Sequence, residues 1–244
     1  MNTFSKLTLL AALAMVSAAT AYGDTVLATA VIYAAGTQSG VAASAGGTLP
    51  DGIILPAGAT SITFSVTGSV ILNVGTGNNT NNPDGIGAAV SSSFESGSGS
   101  ISGLTAPNAG FLTGVFIAPG GPSGPAPTAL NFITLGTSFT SLSPLIDQTF
   151  FIGDGLTGSG AGTTQTFFVP TGASELFLGI SDACGYNGPP NCYSDNSGSF
   201  GVSSDIATET TPTVPEPSTF VLLGTGVAGV ISRLAARRRS DINR

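Results

Sequence analysis

Apolar and polar residues alternate in short runs through the middle of this chain, and that period predicts strands. Ser61–Val66 places Ile62, Phe64 and Val66 on one face and polar partners on the other. Ser69–Val74 follows across Gly68 and either pairs with the first run or continues it past a bend. Thr25–Tyr33, Gly114–Ala118, Gln148–Ile152, Thr166–Val169 and Glu175–Ile180 are further short runs rich in β-branched and aromatic residues. Gly198–Val202 leads into a last segment near Ile206. No helical period stands out before Phe220. Gly, Pro and Asn clusters separate the runs. The expected fold of residues 24–206 is therefore all-β, an antiparallel two-sheet β-sandwich of jelly-roll type. Gly75–Gly85 reads as a polar turn and Ser91–Gly103 as a low-complexity loop. The prolines of Ala118–Pro127 exclude a ladder there, and residues 207–213 read as a stiff linker.

Only the two ends carry longer apolar runs. Met1–Gly23 has one basic residue, Lys6, then the run Leu7–Ala19, then the small-residue exit Ala19-Thr20-Ala21. This is the order of a secretory signal helix, and cleavage is expected after Ala21 or Gly23 by a signal peptidase of the secretion machinery. At the other end, Pro215-Glu216-Pro217 precedes an apolar run, Phe220–Ile231, and a basic cluster of Arg233, Arg237, Arg238 and Arg239. A bilayer span needs about 20 residues, so the expected helix covers residues 219–236 with Arg233 snorkelling. The arginines hold the extreme C-terminus on the cytoplasmic side and leave the rest of the chain outside.

Charge sharpens this picture. Residues 24–213 contain eleven Asp and Glu and no Lys, Arg, His or Trp. Nucleic-acid binding is excluded, because nothing there can displace phosphate counterions. Phosphoryl chemistry has no cationic clamp, and a Ser or Cys nucleophile has no His to activate it. Zinc lacks its usual ligand set. Calcium, which takes about six to eight oxygen ligands, survives the exclusion, as does a purely solubilising role for the acids. The chain is expected not to be an enzyme. The remaining catalytic alternative is a carboxylate-based glycoside hydrolase, which needs two carboxyls within about 5–10 Å, one of them with a raised pKa.

Candidate chemistry gathers in Gly179–Phe200. Asp182, Asn187, Asn191, Asp195 and Asn196 lie near Cys184 and Cys192, the only two cysteines. In an exported chain these are expected to form a disulfide rather than remain thiols, contributing roughly 2–3 kcal/mol. With Asp182 after one strand and Asp195-Asn196 before the next, a stapled hairpin would bring two carboxylates, an amide oxygen and loop carbonyls together. The same residues also suit an ordinary turn with no ligand.

Two resemblances extend these readings. The Pro215-Glu216-Pro217 motif, the glycine-bearing apolar helix and the terminal arginines resemble the PEP-CTERM sorting signal, here residues 214–240. That resemblance implies an exosortase, an intramembrane cysteine transpeptidase, as partner. It also implies transit through the inner membrane of a Gram-negative bacterium, then the cell surface or exopolysaccharide matrix. The segments LGISDA and YSDNSGSFGV resemble the C-terminal end of the PA-IL-like galactophilic lectins. Asn82-Pro83-Asp84-Gly85, Gly114–Ile117 and Phe150–Gly153 are loosely similar to that family's earlier parts. The resemblance implies a calcium held by the side chains of Asp182, Asp195 and Asn196 and by carbonyls near Ala183 and Cys192. It further implies a glycan contacted by Asp182, Asn196 and Tyr193, with Tyr33 and Tyr186 as further aromatic candidates. The expected function is an exported surface or matrix protein with a calcium-dependent carbohydrate-binding module. The alternative is an envelope spacer without a ligand.

Overall fold

The computed structural model describes residues 19–36, 39–72, 79–86, 92–94, 97–209 and Arg233. Residues 1–18 of the expected leader, Pro215-Glu216-Pro217, the expected span apart from Arg233, and Arg237–Arg239 lie outside the described residues. Among the described residues, no helix is long and apolar enough to cross a membrane. The chain divides into a unit of Met1–Thr210 and a unit of Thr211–Arg244.

Among the described residues, fifteen strands build the first unit. They are β1 (Ala19–Leu27), β2 (Asp51–Ile54), β3 (Ala59–Leu72), β4 (Asn79–Asn81) and β5 (Ser92–Phe94). Next come β6 (Leu104–Ala106), β7 (Leu112–Ile117), β8 (Leu130–Asn131), β9 (Ser141–Leu142) and β10 (Thr149–Phe151). The last are β11 (Leu156–Gly158), β12 (Ala161–Thr164), β13 (Thr166–Phe168), β14 (Glu175–Ile180) and β15 (Ser197–Thr208).

The all-β expectation holds, but the described residues form four sheets rather than two. The larger pair are a sheet of order β1-β15-β3-β13-β9, with β4 on β3, and a sheet of order β10-β7-β14-β2. Two small sheets, β11-β12 and β5-β6-β8, accompany them. The pairing is not wholly antiparallel, since β13 pairs with β9, and β6 with β8, in parallel. Helices precede Phe220 as well. Ser39–Ala45 is a short α-helix that buries Ala42 and Ala45, and Phe132–Leu135 is a single turn capped by the Asn131 side chain. Neither is long enough to display a helical period, so packing rather than pattern selects them.

The two larger sheets meet through aromatic rings. The Phe150 ring of one lies 5.4 Å from the Phe167 ring of the other, and Phe167 in turn sits edge-on to Phe64 at 5.3 Å. On β3 the buried residues Ile62, Phe64 and Val66 alternate with their exposed or half-exposed neighbours, as the pattern predicts. Strand β7 is buried at every residue, because its sheet is covered on both faces. Its sequence is apolar apart from Thr113, whose buried hydroxyl pairs with Ser181 Oγ at 3.2 Å.

The two runs flanking Gly68 are one strand. Register with β15 continues unbroken from Ser197↔Ile71 to Ala207↔Ser61. Gly68 has φ of +97°, and a Cβ there would lie 2.6 Å from the Ser199 carbonyl oxygen. Only glycine lets β3 bend while β15 stays this close. The expected leader also overlaps the fold. Ala19–Gly23 form the first part of β1, pairing with Ser203–Ala207 at the edge of the larger sheet.

Replacing Gly68 by alanine combines an unfavourable φ with a backbone clash. Chemical denaturation should show a loss of about 2 kcal/mol or more. A variant as stable as the parent would contradict this account of the bend.

Candidate functional site

Strand β14 ends at Ile180 and β15 begins at Ser197, so the connecting segment holds every residue of the candidate site. The two strands do not form the expected hairpin. β14 pairs with β7 and β2, whereas β15 pairs with β1 and β3. The segment therefore crosses from one sheet to the other. It is long and internally stapled because it must span that gap while keeping its buried polar groups satisfied.

The expected disulfide is present, joining Cys184 and Cys192 with a Cα–Cα distance of 5.2 Å. Two 3₁₀ turns flank it, Cys184–Tyr186 and Tyr193–Asp195. Three non-glycine residues among those described take positive φ, and two of them, Tyr186 at 60° and Cys192 at 67°, lie in this loop.

Asp182 is the buried centre, 3 % exposed. Its Oδ1 accepts the Ala183 N–H at 2.8 Å, and its Oδ2 accepts the Asn196 Nδ2 amide at 2.8 Å. Burial raises its pKa to about 7, against the lowering effect of those hydrogen bonds, and the charge of Asp195 adds to the rise. No cationic side chain occurs in residues 24–213 to offset it. Asp182 and Asp195 line one cleft of about 180 Å³ together with Leu72, Ala183, Cys184, Gly185, Tyr186 and Cys192.

The structure thus brings together Asp182, Ala183, Cys192 and Asp195 as the sequence predicts. Asn196 adjoins them but presents nitrogen. Its Nδ2 serves both Asp182 and the Ala28 carbonyl at 3.1 Å, while its buried Oδ1 has no hydrogen-bond partner. The Ala183 carbonyl, an expected ligand, accepts the Tyr186 N–H at 2.8 Å. Among the described residues no group of three or more His, Cys, Asp or Glu is arranged to hold a metal. A cation in this cleft would rest on the two carboxylates of Asp182 and Asp195. The donor set is all oxygen, which fits calcium and no softer ion.

Tyr193 corrects one expectation. It is fully buried, so it offers no face to a sugar. Its hydroxyl donates to the Ile180 carbonyl at 2.7 Å and accepts the Asp182 N–H at 2.9 Å. Tyr33 is likewise fully buried, its hydroxyl donating to Ser181 Oγ at 3.2 Å. Tyr186, half-buried on the cleft wall, is the expected aromatic that remains accessible. Sequence reasoning missed Tyr193 as an anchor. The only available signal was a tyrosine directly after a stapled cysteine.

A second acidic locus organises structure. Asp154 Oδ1 accepts the Leu156 N–H at 2.8 Å, and its Oδ2 accepts the Gly160 N–H, shaping the β11–β12 turn. Asp84 Oδ1 accepts the Asp154 N–H at 3.0 Å. Asp84 closes the Asn82–Gly85 turn, where the Gly85 N–H donates to the Asn82 carbonyl at 2.8 Å.

Desolvation is the largest cause of the raised pKa at Asp51, Asp84, Asp147 and Asp182 alike. Each carboxyl holds its proton more tightly in the folded chain than in the unfolded chain, where Asp titrates near 3.9. Stability is therefore fullest below about pH 4 and falls as pH rises, until Asp182 has ionised above about 7. Asp182 alone accounts for on the order of 4 kcal/mol of that fall. Denaturation between pH 4 and 8 in EDTA should show the decline, shallower in Asp182→Asn. Stability that rises across this interval would overturn the reading.

Residues 213–239 match the family described as PEP-CTERM protein-sorting motif. That motif marks an exported chain that transits a membrane and is sorted toward the cell surface by an exosortase-type enzyme. No curated protein and no solved structure matches the chain.

Proposed function

We propose that this chain is a non-catalytic protein of the bacterial surface or exopolysaccharide matrix, delivered there by its tail. The sorting motif at residues 213–239 is the observation that carries this reading. Within the tail, the proline-set Pro215-Glu216-Pro217 presents the motif, the apolar run enters the bilayer, and the arginines hold its cytoplasmic end. The sorting enzyme acts there, and the Lys- and Arg-free domain is left on the outside. Mass spectrometry of the mature protein from an exosortase-bearing host tests this. The expected mass lacks the apolar run and the arginines, and a strain without the enzyme retains them. Retention of Phe220–Arg244 in both strains would overturn the proposal.

A calcium-dependent glycan-binding role for the Asp182 cleft is the finer reading. One observation favours it over a plain spacer. Asp182 and Asp195 share a cleft in a domain without a cationic side chain. Above about pH 7 the ionised Asp182 is buried and uncompensated, so a divalent cation bridging it to Asp195 relieves that cost. The same compensation argues against hydrolysis. A carboxylate pair engaged with a cation holds no proton for a leaving group, and the cleft shows no separate general acid. A sugar would reach the cation past Tyr186 and the exposed amides of Asn187 and Asn191.

Calcium at saturating concentration should raise the melting temperature at pH 8, and Asp182→Ala should abolish the rise. The shift should shrink at pH 5, where protonation competes with the ion. No shift in the parent protein at pH 8 would leave the spacer role as the function.

A further inference from the structure

The cleft has two kinds of wall. Leu72, Asp182 and Ala183 belong to or adjoin the sheets, and Asp182 is held from the body of the fold by Asn196 and Tyr193. Cys184, Gly185, Tyr186 and Cys192 belong to the stapled loop. Besides the disulfide, that loop is held by the packing of Tyr186 against the core, by a bridge between Asn187 and Ser93, and by backbone hydrogen bonds. The Tyr186 N–H donates to the Ala183 carbonyl at 2.8 Å, the Gly188 N–H to the Ser93 carbonyl at 2.9 Å and the Asn191 N–H to the Asp182 carbonyl at 3.3 Å.

Two features make the disulfide a device rather than a passive brace. Tyr186 and Cys192 both sit in the left-handed region, which costs a side-chain-bearing residue roughly 1 kcal/mol or more each. Cys184 is also exposed and Cys192 half-buried, so a reductant reaches the bond without unfolding either sheet.

We propose that the Cys184–Cys192 disulfide is a reducible latch on the cleft. Closed, it holds the Cys184–Tyr186 wall and Cys192 beside the two carboxylates. A small dithiol opens it. One thiolate of the dithiol attacks the exposed Cys184 sulfur, and Cys192 leaves as a thiolate and takes a proton. The second thiol of the reductant then displaces Cys184, which leaves as a thiolate and is protonated in turn. Two electrons and two protons end on the protein as two thiols, and the reductant becomes a disulfide. Tyr186 and Cys192 relax out of the left-handed region and the loop wall swings away. Asp182 and Asp195 remain in place, because Tyr193 ties the far end of the loop to Ile180 and Asp182.

Ligand control through the latch rests on the calcium reading, but the latch itself does not. Amide hydrogen exchange of the full chain, oxidised and after dithiothreitol, reads it directly. The expected result is exchange at Tyr186, Gly188 and Asn191 at least about tenfold faster on reduction. Amides of β14, β15 and Asn196 should be unchanged. Cys184→Ser with Cys192→Ser should reproduce the reduced pattern without a reductant. Unchanged loop exchange, or acceleration spread through both sheets, would overturn the latch. In parallel, sensitised luminescence of terbium, a calcium surrogate, is measured on both forms. Binding to the oxidised form that weakens at least about tenfold on reduction ties the latch to the ligand. Equal binding by both forms would refute control by the latch. No binding by either form, with the exchange change intact, would sink the calcium reading and leave the latch standing.

Discussion

Everything at the candidate site depends on how a buried polar crossing between two sheets is satisfied. Strand β14 lies in one sheet and β15 in the other, and the segment joining them is buried only at Ser181–Ala183, Tyr193 and Asn196, while its stapled middle is exposed or half-buried. Tyr193 resolves most of that problem. Its hydroxyl takes the Asp182 N–H and gives its own proton to the Ile180 carbonyl, so two backbone groups at the end of β14 are paired by one side chain. Asn196 does the same from the β15 side, reaching Asp182 and the Ala28 carbonyl that follows β1. Three elements are thereby locked at one point. Loss of any member leaves a buried donor or acceptor unpaired, which costs about 1–3 kcal/mol.

That lock explains why a carboxylate can be buried in a domain with no cation of its own. Asp182 is held by neutral donors, Ala183 N–H and Asn196 Nδ2. These lower its pKa less than desolvation raises it. The result is an acid poised near neutrality that opens onto a cleft shared with Asp195. On the proposed reading, a cation would compete with the proton for the same oxygens, and pH would choose between them.

The absence of Lys and Arg from residues 24–213 links the domain to the tail. Positive charge appears only at Lys6 and from Arg233 onward. A surface whose only charges are acids stays hydrated and resists self-association through like-charge repulsion.

Strand positions were legible because alternation is a local property. Ile62, Phe64 and Val66 announce the buried face of β3, and Glu175–Ile180 was bounded to the residue. The sorting motif was legible from the order of residues at the C-terminal end alone. The disulfide followed from there being only two cysteines. Partner choice was not legible. That β14 and β15 enter different sheets, that β13 pairs in parallel with β9, and that Gly68 continues one strand rather than closing a hairpin all depend on contacts distant in sequence. Neither Tyr193 nor Asn196 carries a local mark of its role. A tyrosine in a polar loop reads as a sugar contact until burial turns it into an anchor. The sequence by itself determined the sorting motif at residues 213–239 and the alternation that marks β3. Only the tertiary structure decided which oxygens meet, because desolvation and hydrogen-bond satisfaction are properties of packed neighbours, not of a run of residues.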